Sequence, residues 1–218
     1  MNLNQIADRI LVLSLVRSPR RAAVLANYAE RGITNFELID AVDGLDLDVA
    51  GMRQRKEVLP TKHGDISPGE IGCYLSHVVA WRRALADGMH TVCICEDDGA
   101  WQPAAGRIMA RAFDGVPDDW EVLYLHSYRG REALGTWVAP GVYVPTLAGG
   151  TQCILYKRRA VRLLVESLGP CIETPVDWYT NKLQKKHRFK TYIVFPYPNR
   201  HSGVTDSEIA IRGRPKNE

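Results

Sequence analysis

Between Ser67 and Asp98 the chain spells out a helix that turns directly into a strand, and this unit limits the fold more than any other stretch. The segment SPGEIGCYLSHVVAWRRALADG has Ser67 at the N-cap position, Pro68 at the first helical position, Glu70 three residues after the cap and Gly88 as terminator. Ile71, Tyr74, Leu75, Val78 and Leu85 recur at the spacing of one buried helical face while Arg82 and Arg83 fall elsewhere, so the helix packs on a sheet. The run that follows, TVCICEDD from Thr91 to Asp98, has the β-branched, alternating pattern of a buried strand and ends in Glu96, Asp97 and Asp98. In open α/β sheets, ligands bind at the C-terminal ends of strands.

Three adjacent carboxylates repel one another, which calls for a cation beside them. Hard carboxylate oxygens suit Mg²⁺ or Mn²⁺ together with a phosphorylated ligand, because these metals keep coordination positions for phosphate oxygens and water. A solvated acidic turn after a strand is the other reading of the same residues. Ser76 and His77 are polar positions beside the buried stripe of the helix, placed to reach the same ligand.

The remaining pattern alternates strand and helix. A strand over Arg9–Leu15 leads into a helix from Ser18 to Arg31, with Ser18 as cap and Gly32 as stop, and Asn35–Ala41 reads as a second strand. Val42 to Ile66 reads as polar and irregular, long enough for a mobile or functional loop. Further on come a helix over Gln102–Phe113, a strand over Glu121–His126 and a small hairpin between Ser127 and Val144. A strand over Thr151–Tyr156 then leads to an amphipathic helix ending at Gly169, followed by a short helix started by Thr174 and Pro175 and a late strand over Thr191–Phe195. This order specifies an α/β sandwich.

With 45% hydrophobic residues, a chain of 218 residues buries one substantial core, so residues 1–211 read as a single domain and 212–218 as a polar basic tail. The apolar run Ile10–Val16 is far short of the ~20 residues that span a bilayer, and the reading is of a soluble, cytoplasmic protein. Five cysteines without paired spacing argue against a zinc module or a disulfide framework, and Cys93 and Cys95, alternating on one strand face, read as core. The net charge of +3 hides a cluster of Lys182, Lys185, Lys186, Arg188 and Lys190, with Arg212, Arg214 and Lys216 near the end. The cluster suits an anionic membrane surface or the phosphate groups of a glycan, and equally a solvated helix face. Aromatic residues are too sparsely interleaved with it for a nucleic-acid reader.

Six segments taken in order, LSLVRSPRR from Leu13, AVDG from Ala41, SPGEIGCYLSH from Ser67, CEDDGAW from Cys95, AGGTQCILYKRRAVRLL from Ala148 and PVDW from Pro175, resemble glycosyltransferase family 25. This is the family of bacterial lipopolysaccharide and lipooligosaccharide galactosyltransferases, related to the collagen galactosyltransferases. The resemblance implies a GT-A-like fold with a mostly parallel central sheet flanked by helices. It also implies an inverting transferase that uses a divalent metal, Mn²⁺ or Mg²⁺, and a UDP-sugar donor, often UDP-galactose, with a glycan or lipid-linked glycan acceptor. The chain departs from the family pattern in LSLVRS, where Ser14 and Val16 replace a polar pair near the expected nucleotide site.

Under that resemblance, Asp98 is the expected direct metal ligand, with Glu96 and Asp97 contacting metal, ribose, donor sugar or metal-bound water. Asp177 in PVDW is the expected general base, although Thr174, Pro175 and Asp177 also fit a helix capping box. Arg17, Arg20 and Arg21 follow the first strand, where one of them would grip a diphosphate, with Arg17 and Arg21 foremost. Asp43 is a nucleoside contact or an ordinary Asp-Gly turn, His77 a base or ribose contact or a satisfied core histidine, Glu70 a cap, and His201 a second metal ligand. Acids at a strand end also serve nucleotidyltransferases and phosphohydrolases, and a catalytically inactive sugar-nucleotide or glycan-binding relative is the third class.

Overall fold

The computed structural model of the chain describes residues 1–202. In chain order its elements are β1 (Arg9–Ser14), α1 (Arg20–Glu30), β2 (Phe36–Asp40), α2 (Val49–Gln54), α3 (Pro68–Ala86), β3 (Thr91–Glu96), β4 (Gly99–Trp101), α4 (Ala105–Phe113) and β5 (Val122–Tyr124). They continue with β6 (Leu134–Ala139), β7 (Val142–Pro145), β8 (Cys153–Lys157), α5 (Arg158–Glu166), α6 (Val176–His187), β9 (Thr191–Val194) and β10 (Asn199–His201). The basic tail and its residues Arg212, Arg214 and Lys216 lie outside the described residues.

Eight strands form one sheet in the order β2-β1-β3-β8-β5-β9-β7-β6. The pairings β2/β1, β1/β3 and β5/β9 are parallel, and β8 and β7 run against their neighbours, so six strands (β2, β1, β3, β5, β9, β6) share one direction and two (β8, β7) oppose it. β1 and β3 are buried on both faces, which explains why RILVLS and TVCICE are almost unbroken in apolar character. Their alternate residues feed two cores. Leu11, Leu13, Val92 and Ile94 pack with α3, α5 and α6 on one side, whereas Ile10, Val12, Cys93 and Cys95 pack with α1 and α4 on the other. The result is the α/β architecture expected of a GT-A-like domain, a mostly parallel sheet between two helical layers.

All five cysteines are free thiols, and Cys93, Cys95 and Cys153 meet side by side in the second core. No helix among the described residues is long and apolar enough to cross a membrane.

The capped helix forms as read. Ser67 accepts from the Glu70 amide at 3.2 Å, and the Glu70 carboxylate accepts from the Ser67 amide at 2.9 Å. Three other boundaries differ. The helix expected from Ser18 runs from Arg20, and the Ser18 hydroxyl oxygen accepts from the Arg20 amide at 3.3 Å while its proton goes to Asp97. α6 starts at Val176 with Pro175 as its uncapped boundary, so Thr174 closes no capping box. The Val42–Ile66 stretch is only partly irregular: Asp43 and Asp48 each accept a backbone amide, starting a 3₁₀ turn at Gly44–Asp46 and α2 respectively. The hairpin between Ser127 and Val144 is present as β6 and β7, at the sheet edge.

Candidate active site

The C-terminal ends of β1, β3 and β5, together with the segment leading into the antiparallel β8, meet at one edge of the sheet. Two adjoining cavities open there, both bordered by Glu96, Asp98 and Cys73. The smaller, of about 100 Å³, is framed by the end of β1 and the AVDG segment; the larger, of about 750 Å³, extends to Asp177.

The three acids of the triplet are held in three different ways. Oε1 of Glu96 accepts from the Thr151 hydroxyl at 2.6 Å and lies 3.1 Å from Nε2 of His77. Burial alone would raise the Glu96 carboxyl, but His77 and Thr151 outweigh it and hold it below the usual carboxylate range. Asp97 points back into the protein. Its oxygens accept from the hydroxyls of Ser14 and Ser18, both at 2.7 Å, and from Nε of Arg20 at 2.8 Å. Asp98 is held more loosely, by Gln152 at 2.8 Å on one oxygen, with Nε2 of His201 3.9 Å from the other. Burial, reinforced by the neighbouring Glu96 charge, pushes the Asp98 carboxyl up to about 6.

These geometries separate the sequence candidates. Asp97 is a staple between the end of β1 and the acid turn, and the unusual Ser14 of LSLVRS is one of its partners. Replacing Asp97 with Asn, which keeps one acceptor oxygen and removes the charge, should cost about 2 kcal/mol and lower the melting temperature by roughly 4–8 °C in a thermal scan. The His77 ring is completely buried, and what it touches at the site is Glu96. Arg21 folds back onto the carbonyls of Leu15 and Ser14 and onto Asp40. Arg17 pairs with Asp43, clamping the AVDG segment to the loop after β1. Glu70 serves as the cap.

The Ser67–His77 motif now has a physical explanation beyond its helix. Gly44 lies so close to the first turn of α3 that a Cβ there would sit 1.8 Å from the Pro68 carbonyl oxygen. Ser76 accepts from the Val42 amide at 2.9 Å, and one helical step on, His77 reaches Glu96. A single helix therefore fixes both the AVDG segment and the first acid.

Asp177 lies at the start of α6 and lines the larger cavity together with Glu96 and Asp98. Its carboxylate accepts from the Trp178 amide at 2.8 Å. Burial pushes it above the usual aspartate range, partly offset by the backbone amides of Trp178 and Gly150. Thr151, Gln152, His126 and Arg200 are among the cavity residues not singled out from the sequence. Thr151 and Gln152 were visible as a polar pair heading an apolar strand. Burial pushes the His126 imidazole down to about 4, keeping it neutral at physiological pH. Arg200 and His201 arrive through the short β4–β10 ladder, in which His201 pairs with Gly99.

The family described as Glycosyltransferase family 25 (LPS biosynthesis protein) matches residues 7–132. The chain belongs to glycosyltransferase family 25. Among its family 25 relatives is the mouse (Mus musculus) protein named "Inactive glycosyltransferase 25 family member 3", 27% identical over 88% of this chain and 34% of that protein. Another, named "Glycosyltransferase 25 family member" in Aedes aegypti, is 30% identical over 85% of this chain and 32% of its own length. Human (Homo sapiens) procollagen galactosyltransferase 2 is 27% identical over 54% of this chain and 20% of that protein. The chain thus spans about a third of the length of the first two relatives. A solved structure of a glycosyltransferase involved in glycosylation of the major capsid of PBCV-1 aligns over 94% of this chain and 96% of that one, at 11% identity and a TM-score of 0.45.

Proposed function

We propose that this family 25 chain is a competent inverting transferase that moves a hexose, galactose by family precedent, from a UDP-sugar to a glycan hydroxyl such as one of a lipopolysaccharide or lipooligosaccharide core. The observation that carries the reading is the placement of Asp177 in one cavity with Glu96 and Asp98. That arrangement supplies a proton acceptor and an anion-rich, cation-attracting wall around the same space.

The donor set suits Mn²⁺ or Mg²⁺. Two largely buried carboxylates, one of them raised by the charge of the other, are the repulsion that a divalent cation relieves, and the oxygens of Asp98 and Glu96 with a histidine nitrogen nearby are hard to borderline donors. Asp98 would hold the ion directly, with Glu96 and His201 beside it; when bound, the metal supplies positive charge against the departing diphosphate. The AVDG segment, clamped by Arg17 and Ser76, frames the smaller cavity as the nucleoside end, with Asp43 on its wall. Asp177 takes the proton from the acceptor hydroxyl as that oxygen attacks the anomeric carbon, and its raised affinity for protons suits a general base. Neutral His126 offers a hydrogen bond to a sugar hydroxyl inside the larger cavity.

The test is thermal denaturation with UDP-, GDP-, CMP- and dTDP-sugars, each with Mn²⁺ and with EDTA. A ligand at a hundred times its dissociation constant stabilises by about 2.7 kcal/mol, which moves the midpoint of a chain this size by roughly 5–10 °C. A shift confined to one UDP-sugar with metal, followed by release of UDP on adding a glycan acceptor, is the expected result. The relatives named inactive give a second reading its footing: a shift without turnover against any acceptor would make the chain a sugar-nucleotide-binding relative. Absence of any shift would overturn both.

A further inference from the structure

The basic cluster of α6 has no part in the site just described, and its placement points to a partner. Lys182, Lys185 and Lys186 stand at positions i, i+3 and i+4, so they share one exposed face, while Leu183 and Gln184 are buried on the other. Attraction to the negative end of the helix dipole explains cations in the last turn, but it reaches neither Lys182, a turn earlier, nor Lys190, beyond the helix. From Trp178 to Lys190 the sequence contains no acid. Among the described residues, the ion pairs of this cluster amount to one contact, Lys190 with Asp119 at 3.8 Å.

Beside the helix runs a groove of about 410 Å³ whose lining includes Lys185, Lys190, Val144 and Leu147. Both apolar side chains are more than a third exposed. Exposed aliphatic groups sharing a groove with lysines are the composition of a surface that lies at a bilayer interface, with the ammonium groups at the phosphates and the apolar groups just beneath them. α6 also connects this surface to the chemistry. Asp177 lies eight residues before Lys185, or about 12 Å along the helix axis.

We propose that the Lys182–Lys190 face and the Val144–Leu147 groove form a docking surface for an anionic phospholipid bilayer, holding the cavity about a dozen ångströms from the headgroups. Charge complementarity commits the surface to acidic headgroups, and the apolar pair commits it to a lipid phase in preference to a soluble polyanion.

The experiment is co-sedimentation of the full chain with vesicles of one-third phosphatidylglycerol and two-thirds phosphatidylcholine, against vesicles of phosphatidylcholine alone. Binding should appear only with the acidic vesicles and should fall steeply as salt rises. The variant Lys185→Gln, Lys186→Gln, Lys190→Gln should bind roughly a hundredfold more weakly, since each basic residue near an anionic surface contributes about 1 kcal/mol. The variant's melting temperature and its shift with a UDP-sugar and Mn²⁺ should match the wild type, which separates this surface from the transferase site. Equal binding to neutral vesicles, an unaffected triple variant, or tighter binding to single-stranded DNA than to acidic vesicles would overturn the proposal.

Discussion

Asp177→Asn is expected to lower transfer by a factor of about 10² to 10⁴, the usual contribution of a positioned general base, while leaving donor binding unchanged. Asn keeps a side-chain oxygen for the Trp178 amide, so the start of α6 survives. Stability should hold or rise. A carboxyl whose folded-state pKa lies above its unfolded value takes up a proton more readily when folded, so its contribution favours folding at low pH and is lost as pH rises through the folded pKa. At neutral pH the ionised, half-buried Asp177 therefore costs stability, and the amide removes that cost. A thermal scan and a UDP-release assay on the same preparation separate the outcomes. Retained transfer moves the base elsewhere, and a fall of many degrees in the melting temperature returns Asp177 to a purely structural role at the helix start.

The parts of this molecule that could be read in advance are those in which local chemistry and long-range packing agree. α3 is the clearest instance: Ser67, Glu70 and the apolar stripe determine the helix locally, and the sheet accepts the same stripe. β1 and β3 were legible because a strand buried on both faces needs a continuous apolar run. Ser18 shows what such reading leaves out. Its oxygen accepts from the Arg20 amide at the helix start, as read, but its proton goes to Asp97, a partner distant in sequence. The β4–β10 ladder was invisible for a related reason. Its strands are three residues each and too short to show a period, and they are paired across nearly a hundred residues. In the site, the acid triplet was found through its charge, but the division of labour within it was not. That division depends on Ser14, Arg20, His77, Thr151 and Gln152, which the topology brings in from four separate segments.

Asp98→Asn should abolish the metal-dependent part of donor binding, so that the shift of roughly 5–10 °C expected with a UDP-sugar and Mn²⁺ disappears and EDTA no longer changes the melting curve. The two neighbours of Asp98 are held more tightly. Asp97 is held by three protein donors, and Glu96 carries His77 and Thr151, whereas among the described residues the side-chain partners of Asp98 are one amide and a histidine 3.9 Å away. A divalent ion binds carboxylate oxygen more strongly than amide oxygen because the charge is what it neutralises, so removing the charge and keeping the shape removes the ion first. The substituted side chain still offers Gln152 a carbonyl oxygen as acceptor, and the unliganded protein should melt near the wild-type temperature. A variant that retained the full Mn²⁺-dependent shift would assign the metal to Glu96 alone. Loss of the unliganded fold would instead make Asp98, like Asp97, part of the scaffold.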